Sequence, residues 1–418
     1  MRYLIIGNAA AGIAAAGAVR MRDSGARVLI ISDESHPAYF RPLITTLIEN
    51  GIGKEALLRD PRTIPPGVEF RLGTSVEAIE PRTKSVLIKG GESVQYDRLL
   101  LATGSSALRP SIQGLDGLGV YVLRTVSDAE AIREAAETAS RCVVVGGGRV
   151  GMKAALALRK RGLEVTVVEQ GDRVVPLQFD HPAAEIVGSA IEGQGIRLVL
   201  EKTVKQVDRS NGAIEQVILT DGSRLEADLV VVAVGITPNG ELARQAGLEV
   251  NEGIVVNRLL QTSDPDVFAA GDVVETTDIV TGKSIIAGTW TDATAMGRTA
   301  GINMAGGNLD YAGSLIVRNS FELAGIPTVS VGLIAPEAET DYDVFTLQQR
   351  DSYRKLVLKK GRLVGALMVG EIEGAGVYTG LIERKANVER HMDALLARRP
   401  SYAPWLKRDL AVDAVQTQ

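Results

Sequence analysis

One arrangement occurs twice in this chain, and it narrows the possible folds more than any other feature. Residues 3–34 run Tyr3-Leu4-Ile5-Ile6-Gly7-Asn8-Ala9-Ala10-Ala11-Gly12, then an Ala-rich helical pattern, then Val28-Leu29-Ile30-Ile31-Ser32-Asp33-Glu34. Residues 142–169 repeat the plan as Cys142-Val143-Val144-Val145-Gly146-Gly147-Gly148-Arg149-Val150-Gly151, a helical pattern through Arg161, and Val165-Thr166-Val167-Val168-Glu169. Each copy is an apolar strand, a glycine turn, a helix and a second apolar strand ending in an acid. That is the βαβ fingerprint of a dinucleotide site in its required context. Gly7 and Gly146 make the tight turn out of the strand. At the middle position, Ala9 or Gly148, the backbone approaches a pyrophosphate lying on the helix N-terminal N–H groups. Gly12 and Gly151 allow helix and strand to pack closely. Alanine at position 9 predicts a slightly looser pyrophosphate contact in the first copy.

Composition closes off other classes. At 418 residues the chain has room for two to three domains at roughly 150 residues each. Hydrophobic residues at 45% and charged residues at 23% exclude wholesale disorder. A net charge of −5 carries no electrostatic footprint for nucleic acid. A single cysteine, Cys142, excludes an internal disulfide, an active-site cysteine pair and a cysteine-ligated iron–sulfur cluster within the chain. Its place at the start of a buried strand reads as core filling. His36, His181 and His391, far apart in sequence, argue against a zinc site. The apolar run from Tyr3 to Val19 is interrupted by Gly7, Asn8, Gly12 and Gly17 and leads into a second strand, Arg27–Ser32, so it reads as fold and not as a secretory signal. No stretch reaches the ~18 uninterrupted apolar residues of a membrane span. A cytoplasmic protein is expected.

Three more short motifs follow in order. Leu99-Leu100-Leu101-Ala102-Thr103-Gly104 ends a buried strand after the first unit, and Val230-Val231-Val232-Ala233-Val234-Gly235 does so after the second. Val267-Phe268-Ala269-Ala270-Gly271-Asp272 closes another apolar strand with Gly-Asp. The whole arrangement resembles the two-dinucleotide-fold FAD/NAD(P) oxidoreductases, the pyridine nucleotide–disulfide oxidoreductase superfamily. Tyr39-Phe40-Arg41-Pro42-Leu43-Ile44 resembles the branch holding rubredoxin and ferredoxin reductases, the NADH-oxidising part of assimilatory nitrite reductases and apoptosis-inducing factor. The match runs from about residue 2 to about residue 305.

The resemblance implies an α/β fold of two Rossmann-like domains plus a C-terminal α+β interface domain. Residues 1–110 and 236–310 would form a discontinuous FAD-binding domain, 111–235 an NAD-binding domain, and 311–418 the interface domain with a basic tail. It places Gly7, Ala9, Ala10, Ala11 and Gly12 at the FAD pyrophosphate, Asp33 and Glu34 at the adenosine ribose, and Arg41 and Pro42 along the cofactor. Val76 would hold adenine through its backbone, Ala102, Thr103 and Gly104 would pass the pyrophosphate side, and Gly271 and Asp272 would bind the ribityl chain and phosphate. Trp290, Thr291 and Asp292 precede a predicted helix, Ala293–Met304, whose start would meet the flavin pyrimidine edge. A physical reason supports that placement: hydride arriving at the flavin develops negative charge over N1 and O2, and a helix N-terminus offers unpaired N–H groups and about half a positive charge. Trp290 also reads as a buried core aromatic, and Thr291 and Asp292 as plain N-capping residues.

In the second unit, the resemblance assigns Gly146, Gly148, Arg149, Val150, Gly151, Glu169 and Gly235 to NAD. A carboxylate at Glu169 accepts from ribose hydroxyls and repels a 2′-phosphate, and Gln170, Gly171 and Asp172 follow it, which predicts NADH over NADPH. Two departures from the family are informative. No redox cysteine lies near Phe40-Arg41-Pro42, so thiol chemistry is excluded. Relatives carry a Lys shortly after the Arg-Pro motif paired with a Glu two residues past the third glycine; here those positions hold Thr46 and Lys153. Lys153 is expected to take the cationic place beside flavin and nicotinamide, the plainer reading being a solvated helix lysine. Lys153, Trp290 and Thr291 form the candidate catalytic set.

Beyond residue 311, strands are predicted at Val329–Leu333, Tyr353–Lys359 and Leu363–Val369, with a hairpin at Lys360-Gly361, then helices Ala375–Lys385 and Val388–Arg398. In the family this domain caps the flavin side and forms a homodimer, hetero-oligomer or partner interface. The tail from Arg398 to Arg408 is basic with two aromatics, Tyr402 and Trp405, and reads either as a docking segment or as a strand of chain folded on its own domain. Three functions follow. The first is an FAD-dependent NADH:acceptor reductase serving an iron–sulfur protein or subunit, either a free ferredoxin or rubredoxin or a larger enzyme such as a tungsten aldehyde oxidoreductase complex. The second is an NADH oxidase or diaphorase, and the third a redox-sensing flavoprotein without catalysis.

Overall fold

A computed structural model describes residues 1–49, 51, 53–60, 63–64, 66–336, 341–397 and 400–401. Its α-helices are α1 (Ala10–Arg22), α2 (Val126–Ala135), α3 (Arg149–Lys160), α4 (His181–Gly193), α5 (Glu241–Gln245), α6 (Trp290–Met304), α7 (Ala375–Glu383) and α8 (Met392–Leu396).

The two glycine-turned units each build a five-stranded, all-parallel sheet. The first has the order Val267–Ala269, Arg98–Leu101, Arg2–Ile6, Arg27–Ile31, Val68–Arg71. The second has Ile196–Val199, Glu164–Val168, Arg141–Val145, Leu229–Val232, Val120–Val122. In both, the strand before the glycine turn lies centrally, between the strand that follows its helix and a later strand that is followed by an alanine, Ala102 or Ala233. Strands buried on both faces read as continuous apolar runs, as Leu4–Ile6 and Val143–Val145 do. The outermost partner differs: residues 267–269 return to the first sheet from far downstream, whereas 120–122 precede their sheet's glycine turn.

The turns show why glycine is needed. Gly7 has φ +121° and Gly146 φ +106°. A Cβ would stand 2.1 Å from the Ala102 carbonyl oxygen at Gly7 and 2.4 Å from that of Ala233 at Gly146. At Gly12 and Gly151 a Cβ would stand 2.0 Å from the carbonyl of the turn glycine, so the helix is drawn onto the strand end. Alanine is abundant in α1 because α6 lies against it almost backbone to backbone. A Cβ at Gly297 would meet Ala11 O at 2.1 Å, and one at Gly301 would meet Ala15 O at 2.4 Å. The two helices therefore run in the same sense, and their N-termini meet at Gly271, whose Cβ would touch Ala11 and Ala293.

The C-terminal part is a five-stranded antiparallel sheet in the order Arg318–Leu323, Ile326–Gly332, Arg362–Val369, Tyr353–Lys359, Asp343–Gln348. Lys360 (φ 51°) and Gly361 (φ 70°) both take positive φ, as a two-residue hairpin of the primed type requires. The sheet packs on the second unit. Phe321, Leu323, Tyr353, Leu367 and Val369 share a core with Phe179, Val187 and Met152. The Tyr353 hydroxyl (2.8 Å) and Lys355 ammonium (3.0 Å) both donate to Asp180. The single helix expected over Val388–Arg398 is instead a 3₁₀ turn, Glu389–His391, followed by the short α8, because His391 leaves helical geometry at φ −132° and breaks the run. Arg398 and the basic tail lie outside the described residues, apart from Pro400 and Ser401. No described helix is long and apolar enough to cross a membrane.

Candidate active site

A cavity of about 1160 Å³ opens between the two parallel sheets and the C-terminal strand Arg318–Leu323. Pockets for drug-sized ligands run roughly 300–1,000 Å³. Gly7, Ala9, Ala10 and Ala11 line it from the first turn, with Asp33 and Glu34 from the end of the following strand. Arg41, Pro42 and Val76 line it, as do Ala102, Thr103 and Gly104. Gly271, Asp272, Trp290 and Thr291 complete that side. From the second unit Arg149, Val150 and Lys153 of α3 reach it, together with Val122 to Thr125 and Asp128 at the edge strand and the start of α2. Gly12, Gly146, Gly148, Gly151, Glu169 and Gly235 are not among the residues that line it; they lie in or beside the turns.

Helix N-termini carry the clearest electrostatic signal. In α2, α4 and α6 the N-cap side chains of Thr125, Asp180 and Thr289 accept a backbone N–H of the first turn. In α1 and α3 the N-caps are Ala9 and Gly148, with no side-chain cap and no acid in the first turn. The open amides of Ala10, Ala11 and Gly12, and of Arg149, Val150 and Gly151, keep their positive partial charge for an anion. Gly148 has open space where its Cβ would be, so its lack of a side chain serves an approaching ligand and no internal contact. Beside the first turn, Asn8 Nδ2 donates to the His36 carbonyl (3.2 Å) while its Oδ1 is buried without a partner. A buried acceptor of that kind fits a ligand hydroxyl.

The acids have distinct environments. Glu34 is taken up internally: the Tyr39 hydroxyl donates to it at 2.6 Å and the Arg41 guanidinium forms an ion pair with it. Burial lowers the Arg41 pKa, but Tyr39, Glu34 and Asp272 outweigh that and hold it above its usual value. Asp33 is exposed and faces the cavity, so of the two acids it is the one free to meet a ribose. Asp272 accepts from Arg124 at 2.7 Å and from the Ser105 hydroxyl at 3.2 Å. Glu169 is buried and accepts the Gly147 N–H (2.6 Å) and the Gly171 N–H (2.7 Å), which fixes its own turn and uses one lone pair on each oxygen.

The helix at the far side begins at Trp290, three residues before the expected start. Thr289 is the N-cap, in place of the expected Thr291 and Asp292. Its hydroxyl accepts the Asp292 N–H at 3.2 Å and donates to the Asp292 carboxylate at 2.6 Å. Burial raises the Asp292 pKa against the opposing pull of Thr289 and Arg318. The Trp290 and Thr291 amides remain open at the cavity. Trp290 is half-buried, with its ring centroid 5.5 Å from that of Phe40.

Lys153 is half-buried and lines the cavity. Burial lowers its pKa, Arg149 lowers it further, and Glu322 opposes them. Thr46, the other member of the exchanged pair, does not face the cavity: its hydroxyl donates to the Leu43 carbonyl at 2.6 Å, and Thr45 lines the wall instead. Cys142 is fully buried with its thiol pKa pushed up by that burial. Sequence reasoning missed Asn8, Thr45, Arg124 and Phe40, together with Asn319 and Phe321 of the C-terminal strand. Their contacts are long-range and leave no local pattern. Thr289 was legible, since Thr289-Trp290-Thr291-Asp292 has the spacing of a capping box.

Residues 1–297 match the pyridine nucleotide-disulphide oxidoreductase family, and residues 319–386 match the rubredoxin NAD+ reductase C-terminal domain. The chain is 31% identical to the epsilon subunit of the NADH-dependent phenylglyoxylate dehydrogenase of Aromatoleum evansii, over 93% of this chain and 92% of that one. It is 31% identical to an NADH oxidase of Methanocaldococcus jannaschii over 88% of each chain. Among solved structures, a ferredoxin reductase of Rhodopseudomonas palustris superposes with a TM-score of 0.80 at 28% identity, covering 88% of this chain and 91% of that one.

Proposed function

This chain belongs to the pyridine nucleotide-disulphide oxidoreductase family, an FAD- and NAD(H)-binding enzyme family, and we propose that it is an NADH-dependent reductase whose electrons go to an iron–sulfur partner. The cavity residues fit both cofactors: two uncapped helix N-termini for two pyrophosphates, an orphaned acceptor at Asn8 Oδ1, and glycine turns no side chain could occupy. Bound FAD supplies the chemistry of accepting a hydride and releasing electrons singly.

The chain's own groups then have definite tasks. Ala10, Ala11 and Gly12 would present amides to the FAD pyrophosphate, Asp33 would meet the ribose, and Val76 the adenine. Gly271 and Asp272 would meet the ribityl end, with Arg124 holding the Asp272 carboxylate in place. The open amides of Trp290 and Thr291 would stabilise charge developing at the flavin pyrimidine edge. On the second unit, Arg149, Val150 and Gly151 would present amides to the NADH pyrophosphate, and Glu169 would select a free ribose hydroxyl.

One observation carries the acceptor reading. Cys142 is the only cysteine and lies in the core of the second sheet, so no thiol faces the cavity. Electrons would therefore leave directly to an acceptor, and exposed Phe40, packed against the cavity-lining Trp290, offers apolar surface for one beside the site. The similarity to a dehydrogenase subunit and to a ferredoxin reductase supports a protein partner, either a small carrier or a cluster-bearing subunit. The similarity to an NADH oxidase favours oxygen as the second reading. The C-terminal sheet is the proposed assembly surface, and its edge strand exposes Val344, Phe345 and Leu347.

Steady-state NADH oxidation with a dye, with oxygen and with reduced-carrier formation on ferredoxin or rubredoxin separates the readings. The expected result is fast dye reduction, slow oxygen reduction and physiological turnover only with the iron–sulfur partner. Deleting residues 399–418 should weaken partner-dependent turnover and spare dye reduction. Full-speed turnover with oxygen alone would replace the partner reading with the oxidase.

A further inference from the structure

Most cations lining the cavity are neutralised within the chain. Arg41 pairs with Glu34, Arg124 with Asp272, Arg244 with Glu241 and Arg318 with Glu383. Arg109 also lines the cavity but is exposed to solvent, whereas Arg149 and Lys153 are different. Both are half-buried, both line the cavity, and among the described residues no carboxylate is in ion-pair contact with either. They sit one turn apart on α3, an i,i+4 like-charge pair, which is unfavourable on a helix. Arg149 is also the first residue of α3, where the helix dipole already places positive charge. Burial, like-charge spacing and dipole all oppose these two cations, and Asp272 and Glu322 favour them only from beyond ion-pair distance.

Their position suggests what does. NADH on the second turn would lay its pyrophosphate at the start of α3, and its ring must enter the cavity shared with the first unit. The path from one to the other passes Arg149 and then Lys153. NADH and NAD+ carry the same pyrophosphate but differ at the ring: giving up a hydride, which is two electrons with one proton, leaves the nicotinamide with one positive charge.

We infer that Arg149 and Lys153 form a cationic wall that discriminates between the neutral reduced ring and the positively charged oxidised ring, weakening NAD+ relative to NADH and so directing the site toward NADH oxidation with easy product release. This rests on the second unit being the NAD(H) site. It adds a direction, set by two side chains, to a reaction whose chemistry by itself runs either way.

The test measures binding to the FAD-loaded full chain by anaerobic titration calorimetry. The ligands are NAD+ and tetrahydro-NADH, a neutral-ring analogue that cannot donate hydride. The Kd ratio of NAD+ to the analogue should fall by about tenfold in Lys153→Met, the scale of one partly screened charge near the ring. It should fall again in Arg149→Leu and return toward the parent value in Lys153→Arg. Flavin content per chain reports folding, and Lys153→Gln serves if the Met variant loses flavin. If both ligands weaken equally in every variant, the two cations are pyrophosphate clamps and the discrimination is overturned. If the unmodified chain binds neither ligand, the NAD(H) reading itself fails.

Discussion

The two glycine-turned units share one local grammar and differ in what surrounds it. In the first, α1 is enclosed by the sheet and by α6 at backbone contact, and the following acid, Glu34, is locked to Arg41 and Tyr39. In the second, α3 packs Met152 and Leu158 into a core shared with the C-terminal sheet, and Glu169 is bound to the amides of its own turn. The first has an Ala-capped turn whose neighbouring charges are mostly paired, Glu34 with Arg41 and Asp272 with Arg124. The second carries Arg149 and Lys153 at the helix start with no ion-pair partner among the described residues. Enclosure on every side suits a cofactor that stays bound, while an open, electrostatically loaded wall suits one that must enter and leave.

The largest expected effect comes from exchanging glycine for alanine at the helix–turn contact. Gly12→Ala should destabilise the first sheet by ~3 kcal/mol, at the upper end of overpacking costs, and yield protein without flavin, seen as loss of visible absorbance per chain. Gly151→Ala, with the same 2.0 Å clash in the second unit, should keep its flavin and lose NADH-dependent reduction by at least about a hundredfold. Equal flavin loss in the two variants would break the comparison.

A smaller effect is expected at Glu169→Ala. The buried Gly147 amide and the part-buried Gly171 amide lose their acceptor, so stability should fall by about 1–3 kcal/mol in denaturant titrations. NADPH turnover should rise relative to NADH, and unchanged discrimination would remove Glu169 from the ribose site. Gly148→Ala is milder: no atom lies within 4 Å of the added Cβ, so the melting temperature should hold while NADH affinity drops by about tenfold.

The smallest effect is a pH dependence confined to the second unit. Lys153 has a folded-state pKa below its unfolded one, because burial and Arg149 disfavour its proton. Its protonated form therefore weakens the folded state at pH values below both pKa values. The penalty lifts as pH rises through the folded value toward the unfolded one. Chemical denaturation should show the parent chain gaining stability relative to Lys153→Met between neutral and alkaline pH. No such gain in the parent would mean that Lys153 is better solvated than its surroundings imply.

Much of this is legible in the sequence alone. The repeated Gly-x-x-x-x-Gly spacing, the apolar strand runs and the acids at 33, 34 and 169 follow local rules of period and turn chemistry. The start of α6 was misplaced by three residues because Trp290 and Thr291 look like loop residues until Thr289 is recognised as the cap. The helix expected over 388–398 failed for a different reason: its composition is helical, but the His391 backbone turns away.

By itself the sequence determined that there are two dinucleotide turns, where their helices begin, and that no cysteine can relay electrons. Each of these depends on residues within a few positions of one another, or on a simple count. Only the tertiary structure decided which side chains share the cavity. Arg124 on Asp272, Phe40 against Trp290, and Asn319 and Phe321 lining the same cavity as Lys153 join segments far apart in sequence through packing that no local pattern encodes. It also decided which charges are neutralised, leaving Glu34 committed, Asp33 open, and Arg149 and Lys153 without an ion-pair partner among the described residues. Charge pairing depends on distances across the fold, and composition fixes only the sum.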